Sequence, residues 1–222
     1  MIRSLAIQRI NQEIGFRSSG NSLEPFIILM LQEAQRDLEK GKTLPRFLIL
    51  EDQTLVLPAG SHSVALPTGF LRDVDDVGIR YFSQPGNRPR FLKRVYYNDG
   101  IEASAFTTES DPLAPDQPKA PKFYAIRNNT IDFIATVTTS WTFTWDYYKA
   151  DAILSSEIEN LWLANAADWL IGEAGIRLAR SLRDQTAQAS FDTMRTQGRS
   201  AVFAELLARE LSSGPLVLGG SN

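Results

Sequence analysis

The side chains whose types and spacing could support catalysis or metal binding are one histidine and a group of three aspartates. His62 is the only histidine, and it lies between Ser61 and Ser63 in a predicted strand. A single histidine excludes a multi-histidine metal site, and no motif around it supplies the partners of a catalytic triad. We therefore expect His62 to be a partly buried or solvated strand residue and not a catalytic base.

The three aspartates, Asp73, Asp75 and Asp76, precede Gly78. Clustered carboxylates can bind calcium, but these lack the ligand spacing and terminal glutamate of a calcium-binding loop. We therefore expect a solvated turn at which alanine substitutions are tolerated. The chain contains no cysteine and none of the motifs of nucleotide-binding loops, zinc proteases or serine hydrolases. The sequence consequently predicts no enzyme, no bound metal and no cofactor.

A row of aromatic residues is the other chemically distinctive feature. Trp141, Phe143, Trp145 and Tyr147 alternate with polar residues in a predicted strand over residues 140–148, which places them on one face. Such a row either packs in a core or stacks on sugar rings. We favour the core. A carbohydrate-binding module that uses Trp141 and Trp145 remains the alternative function.

Charge is distributed unevenly in the C-terminal third. Residues 151–175 carry acidic side chains and no lysine or arginine, whereas residues 176–199 carry five arginines against two aspartates. Two interpretations are open: the arms of a helical hairpin attract each other, or the acidic face of one subunit binds the basic face of the next and closes a ring. The residues assigned to a portal or subunit interface on this basis are Glu157, Glu159, Asp168, Arg177, Arg180 and Arg183. The net charge of −3 does not indicate a surface that binds DNA tightly.

Helical periodicity is found at both ends of the chain. Apolar residues spaced three and four apart predict one helix between Ser4, its expected N-cap, and Gly15, and a second between Ser22 and Gly41. Near the C-terminus, a helix capped by Ser155 or Ser156 and a second long helix over residues 183–212 predict a hairpin. An apolar stripe from Leu163 to Leu178, with Trp162, Trp169 and Ile176 beside it, predicts a wide apolar face on the first arm. Gly198 is expected to interrupt the second arm. Gly214 and Pro215 end it and leave an apolar tail that contains Leu216, Val217 and Leu218.

Between these helices the apolar pattern is that of strands. Short apolar runs predict strands at residues 47–50, 54–57, 62–66, 78–82, 90–97 and 104–107, with turns at 51–53 and 58–60. Four prolines predict an exposed loop at residues 111–121. Two further strands, residues 123–127 and 130–135, flank Asn128 and Asn129 and predict a hairpin.

The sequence therefore predicts an α+β protein, in which an antiparallel β-rich domain is inserted into a helical bundle. Residues 1–44 form the N-terminal helices of the bundle, residues 45–149 the β-rich domain, residues 150–213 the C-terminal helical hairpin, and residues 214–222 an extended tail. No secretory signal is recognised, and the longest apolar run, Phe26–Leu31, is too short to cross a bilayer. We expect a soluble protein made in a cytoplasm.

Several segments resemble a known family. Tyr147–Leu154 and Glu159–Ala166, together with the aromatic strand before them, are similar to the signature of short-tailed (podovirus-type) phage head-to-tail adaptor, or connector, proteins. Leu44–Leu48 and Leu66–Arg72 resemble the N-terminal half of the same family. The resemblance thus covers most of the chain.

The resemblance implies a structural protein of the virion that is assembled in the bacterial host cytoplasm. It implies a homo-oligomeric, twelve-fold ring that docks below the portal protein, holds the tail nozzle or tail fibres, and continues the DNA channel without sequence-specific binding. Three consecutive large apolar residues are unusual in a solvated tail, because such residues gain free energy on leaving water. We therefore expect Leu216–Leu218 to pack as an extended strand against the portal or a neighbouring subunit.

Overall fold

The chain is described by a computed structural model that covers residues 2–15, 23–74, 78–82, 88–95, 121–133, 137–152, 154 and 160–213, the last nine of these for their backbone only. The protein is mixed α+β, with five α-helices and two sheets among the described residues. It divides into two compact units. The helical unit comprises Met1–Leu48 and Ala150–Asn222, and the sheet unit comprises Ile49–Lys149.

The described helices of the helical unit are α1 (Arg3–Glu13), α2 (Glu24–Glu39), α3 (Leu161–Asn165), α4 (Ala167–Ser181) and α5 (Gln185–Ser213), with a short 3₁₀ turn at Arg46–Leu48. Helix α4 is the centre of the unit, since α1, α2, α3 and α5 all contact it. Its buried residues include the expected stripe and both flanking apolar positions, Trp169 and Ile176. The wide apolar face that the sequence indicates is therefore confirmed.

Of the two N-caps predicted for the N-terminal helices, one is wrong and the other lies outside the described residues. Ser4 lies inside α1, whose N-cap is Ile2 and has no side-chain cap. Ser22 lies outside the described residues, and α2 begins at Glu24 with Leu23 as its N-cap. Gly15 does end the first helix: its φ of 71° continues no right-handed helix.

The C-terminal helices begin later than the sequence predicts. The expected caps Ser155 and Ser156 lie outside the described residues, and Asn160 caps α3 by accepting a hydrogen bond from the Leu163 N–H at 3.1 Å. Ala166, at φ −143°, then separates α3 from α4. One continuous helix was the wrong prediction here, because the apolar stripe runs through this break without a change of period.

Helices α4 and α5 approach closely at glycines. A Cβ atom added to Gly198 would lie 2.4 Å from the Trp169 nitrogen, and one added to Gly172 would lie 2.6 Å from the Arg195 nitrogen. Helix α5 continues through Gly198, so the predicted interruption is wrong. The absence of a side chain at Gly198 serves the contact between helices and not a break in the helix.

The strands of the sheet unit are β1 (Ile49–Leu57), β2 (Ser63–Ala65), β3 (Phe70–Asp73), β4 (Ile79–Tyr81), β5 (Arg90–Phe91), β6 (Lys93–Arg94), β7 (Phe123–Arg127), β8 (Thr130–Phe133) and β9 (Trp141–Lys149). One sheet has the order β1-β9-β4-β5, with β3 also paired to β9, and the other has the order β2-β8-β7-β6. The pairs are antiparallel except β6 and β7, which are parallel. This parallel pair departs from the fully antiparallel domain that we expected.

The parallel pair lies where one predicted strand, residues 90–97, is divided between the two sheets. Leu92 is buried, and its N–H donates to the Ile79 carbonyl at 2.8 Å, in the first sheet. The next N–H, of Lys93, donates to the Lys122 carbonyl at 2.8 Å, beside the second sheet. The predicted strand at residues 104–107 and most of the loop at 111–121 lie outside the described residues.

The predicted turn at residues 51–53 is wrong, because β1 continues through it. The register of β1 against β9 shifts between Leu50 and Gln53, which marks a bulge. Asp52 has a φ of 55°, and its N–H donates to Oδ1 of Asp146 at 2.7 Å. The turn at 58–60 is confirmed, with Gly60 at φ 77°, although the strands on either side of it belong to different sheets.

The core of the sheet unit contains residues of both sheets, among them Phe143, Trp145, Tyr124 and Phe133. Phe133 of one sheet stacks on Phe143 of the other, with ring centroids 5.1 Å apart. The aromatic face of β9 is thus a core face, as predicted. The hairpin of β7 and β8 is also confirmed, since Arg127 pairs with Thr130 and Asn128 has a φ of 52°.

Candidate functional site

A buried polar network in the helical unit involves the same segments that carry the family resemblance. Gln35 and Glu39 of α2 are 1% and 9% exposed, and Asn160 is 2% exposed. Polar groups buried to this degree are costly unless their hydrogen bonds are made. We refer to the described residues between β9 and α3 in the chain, residues 150–152, 154 and 160, as the return segment.

Glu39 is the central acceptor of this network. Its Oε1 accepts from Nε2 of Gln35 at 3.0 Å, from the Asp151 N–H at 3.1 Å and from the Trp162 indole at 3.1 Å. Asn160 donates from Nδ2 to the Ala152 carbonyl at 2.7 Å. The network therefore holds the backbone of the return segment against α2.

Asp151 and Asn160 also organise the start of α3. The Leu161 N–H donates to Oδ2 of Asp151 at 2.5 Å, while the Leu163 N–H donates to Oδ1 of Asn160. These two side chains accept from N–H groups of the first helical turn, which have no partner within the helix. Asp151, Asn160 and Trp162 all belong to the segments that resemble the adaptor signature, which gives that resemblance a physical basis.

Sequence reasoning did not identify Gln35 and Glu39 as members of a network. They follow Ile27 and Leu31 at intervals of four residues, on the same buried face of α2. Two polar residues that extend an apolar helical stripe indicate a buried polar contact, and this spacing was the available signal.

The sheet unit has its own buried carboxylate, Asp73. It is 4% exposed and accepts from the Trp145 indole at 2.9 Å and from the Tyr124 hydroxyl at 3.1 Å. Arg94 pairs with it at 3.1 Å. The expectation of a solvated, tolerant turn is therefore wrong at Asp73. Asp75 and Asp76 lie outside the described residues.

Arg80 and Asp146 hold the bulge in β1 in place. Arg80 donates to both carboxylate oxygens of Asp146, at 2.8 and 3.0 Å, and also pairs with Asp52. The hydrogen bonds to Asp146 raise the pKa of Arg80, which therefore stays charged. Asp146 in turn accepts from the Asp52 N–H. This group therefore connects β1, β4 and β9 through their side chains.

The structure does not support a sugar-binding platform. Trp145 is 1% exposed, and its indole N–H donates to Asp73, so its ring cannot stack on a ligand at the surface. Trp141 is half-buried and lies edge-on to Tyr81, with ring centroids 5.4 Å apart. His62 is exposed, in agreement with the solvated alternative, and its carbonyl accepts from the Phe133 N–H at 2.7 Å.

Two of the proposed interface residues pair within the chain. Asp168 contacts Arg9 of α1 at 2.5 Å, and Arg177 contacts Asp37 of α2 at 2.7 Å. Arg180 is exposed on α4. Arg183 is exposed in the turn after α4, with a φ of 55°. The other proposed interface residues lie outside the described part of the chain: Glu157, Glu159, Leu216, Val217 and Leu218.

Some of the charged residues of the C-terminal third form ion pairs within the helical unit. Arg195 of α5 pairs with Glu173 of α4 at 3.7 Å. The contact of Arg177 with Asp37 lowers the pKa of that aspartate. Acidic and basic groups of different helices therefore meet, but the paired helices include α1 and α2 and not only the two arms of the hairpin.

A groove of about 640 Å³ lies in the helical unit between the C-terminal end of α2 and helices α4 and α5. Trp169 and Phe203 contribute aromatic rings whose centroids are 5.6 Å apart. Lys42, Arg195 and Arg199 supply cations to its lining. Among the described residues, no group of acidic, histidine or cysteine side chains is arranged to hold a metal ion.

The family model of the SU10 adaptor protein matches residues 4–218, which is nearly the whole chain. It extends over both units and over the segments that resemble the adaptor signature. A comparison with curated proteins finds no significant match. Within the described parts of the chain, no helix has the length and apolar character needed to span a membrane.

Proposed function

Because this chain belongs to the SU10 adaptor protein family, a family of phage head-to-tail adaptors, we propose that it forms a ring that joins the portal of the head to the tail. The family implies a structural component of the virion that contacts other head and tail proteins. In the proposed assembly, about twelve copies dock below the portal, bear the nozzle or fibres, and continue the DNA channel.

The observation that carries this proposal is the family match over residues 4–218. The buried network supports it, because it organises the residues of the adaptor signature into one contact between α2 and the return segment. In the assembled particle we expect the sheet unit to act as a domain inserted between the two parts of a helical bundle, with α4 and α5 as its C-terminal hairpin. Function then rests on matched surfaces and requires no catalytic step.

A ring of identical subunits needs two different surfaces on each copy that fit each other. Arg180 and Arg183 are exposed cations for one such surface, and Glu157 and Glu159 are acidic candidates for the other. Asp168 and Arg177 already have partners within the chain, so we assign them a smaller share of any contact between subunits. The net charge of −3 fits a channel through which DNA passes without being held.

Mixing the purified chain with portal rings of the same phage tests the proposal. We expect mass photometry to show a discrete complex, and electron microscopy to show an added ring on one end of the portal. A chain that stays unbound with assembled portals present would contradict it.

Deletion of residues 214–222 tests the tail. We expect the truncated chain to keep its melting temperature and to dock more weakly than the full-length chain. Equal docking of the two chains would show that the tail makes no assembly contact.

A further inference from the structure

The groove of the helical unit combines an aromatic floor with a cationic rim. Trp169 is buried and Phe203 is half-buried, so the ring of Phe203 forms the accessible part of the floor. Arg199 is exposed, and its guanidinium lies 5.9 Å from the centre of the Phe203 ring. An apolar surface bordered by hydrogen-bond donors suits an extended peptide, whose side chains leave water while its carbonyls accept from the rim.

The acidic residues that line the groove are already engaged. Glu173 pairs with Arg195, and Asp37 pairs with Arg177 and Lys40. A ligand with its own negative charges would therefore meet carboxylates as well as cations. An uncharged apolar segment meets no like charge and fits this lining better.

Residues 214–222 are such a segment. They follow α5 directly, contain no charged side chain, and include Leu216, Val217 and Leu218 in succession. We propose that Leu216–Leu218 of one copy occupy the α2–α5 groove of the neighbouring copy in the ring. The inference rests on the proposed function, and it assigns the tail to a subunit contact and not to the portal.

The reach of the tail favours the neighbouring copy over the same chain. Phe203 precedes the end of α5 at Ser213 by ten residues, which is roughly 15 Å along the helix axis. A chain that reverses after Ser213 covers at most roughly 3.3–3.6 Å per residue, so Val217 returns by no more than about 14 Å. Leu216 and Val217 would thus stop short of Phe203, and Leu218, which returns by at most about 18 Å, would reach it only if almost no length were spent on turning around the helix.

The same contact would also close a ring. The groove and the tail are different surfaces of one chain, and a contact between different surfaces repeats from copy to copy. Helix α5 supplies one wall of the groove and also leads into the tail. Each copy would therefore bind one neighbour with its tail and a second neighbour with its groove.

Cysteine cross-linking tests this directly, because the chain has no native cysteine. Full-length Val217→Cys is mixed with full-length Ser200→Cys, which places a thiol on the groove lining, and the mixture is oxidised on portal rings. The control acceptor is Gln197→Cys, which is exposed on the same helix but does not line the groove. We expect disulfide-linked dimers with Ser200→Cys at several-fold the yield of the control, since a disulfide requires close approach of the two backbones.

Equal yields for the two acceptors would overturn the inference. So would a cross-link that forms within single chains of a Val217→Cys, Ser200→Cys double variant, independently of dilution. If rings still form but the tail cross-links to the portal, the groove contact is wrong and the proposed function stands. Absence of any ring on the portal would reject the proposed function itself.

Truncation of the groove floor provides an independent readout. We expect full-length Phe203→Ala to lower the yield of the cross-link between Val217→Cys and Ser200→Cys several-fold, because the apolar contact for the tail is lost. Leu29→Ala removes an exposed apolar side chain from α2, outside the groove, and should leave the yield unchanged. An unchanged yield with Phe203→Ala would show that the floor does not receive the tail.

Discussion

In each unit of the protein a buried carboxylate accepts from a tryptophan indole, Glu39 in the helical unit and Asp73 in the sheet unit, and the two networks differ in what they hold together. Glu39 of the helical unit accepts from a backbone N–H of the return segment, an amide and an indole. Asp73 of the sheet unit accepts from an indole and a hydroxyl and pairs with Arg94. Among the described residues, a cation contacts Asp73 and none contacts Glu39.

The difference follows from what each unit must specify. The helical unit must hold the backbone at Asp151 and Ala152 against α2, and hydrogen bonds that involve uncharged donors do so because each requires a particular direction. The sheet unit must fix the contact of β3 with the core side chains of β7 and β9, and it uses charge as well. Buried networks of this kind favour one arrangement over its alternatives when all members are satisfied.

The largest expected effect is on the sheet network. Replacing Trp145 by alanine removes a buried ring and the donor to Asp73, and should cost about 3–5 kcal/mol of stability, the usual range for a buried aromatic residue. Trp141→Ala, at a half-buried position, should cost clearly less. Urea unfolding of the two variants checks this order, and equal losses would show that the two rings are equivalent.

Neutralising each carboxylate tests the comparison itself. Asp73→Asn places an amide donor near Arg94 and the Tyr124 hydroxyl and should cost about 2–3 kcal/mol, because the buried charged acceptor of both groups is lost. Glu39→Gln keeps an acceptor oxygen for its neutral donors and should cost about 1 kcal/mol or less.

Hydrogen exchange followed peptide by peptide assigns each loss to its unit. We expect Asp73→Asn to increase exchange in β7 and β9, and Glu39→Gln to increase it weakly in α2 and α3. A larger effect of Glu39→Gln than of Asp73→Asn would contradict the different roles given to the two networks. His62→Ala serves as a control with little effect in either unit.

The smallest expected effect concerns alkaline pH. Burial and the negative charge of Asp73 raise the pKa of Tyr124, and burial raises that of Tyr147. A raised folded-state pKa favours the protonated hydroxyl, so this stability is present below the ordinary tyrosine pKa of 10.0 and is lost as the pH rises from there through the folded-state pKa. All six tyrosines lie between residues 81 and 148, and the loss should therefore appear in the sheet unit.

Hydrogen exchange at pH 9 and above pH 10 measures this loss. Tyr124→Phe should reduce the pH dependence while costing about 1 kcal/mol for the hydrogen bond to Asp73. An equal alkaline response in the helical unit, or an unchanged one in Tyr124→Phe, would count against the assignment.

The features that the sequence predicts correctly depend on local periodicity. The alternation of β9, the stripe of α4 and the turn at Asn128 each follow from residues close together in the chain. The family resemblance is also confirmed, since the adaptor family matches residues 4–218. The periodic patterns each lie within one or two elements, and the segments that carry the resemblance are also short.

The features that it misses depend on distant contacts. The bulge at Asp52 is held by Asp146, which is 94 residues away, and no local pattern separates such a bulge from a turn. Asn160 acts as a cap through a network that includes Gln35, 125 residues earlier. Asp73 resembles a surface aspartate in sequence, and its burial follows only from the positions of Trp145 and Tyr124.

The most direct test of the central claim is a cryo-electron microscopy map of the phage neck that resolves individual helices. We predict a ring of this chain between the portal and the tail, with α2, α4 and α5 packed as they are here and the return segment held against Glu39. A neck in which the density below the portal fits another protein, or a chain found elsewhere in the particle, would contradict the account.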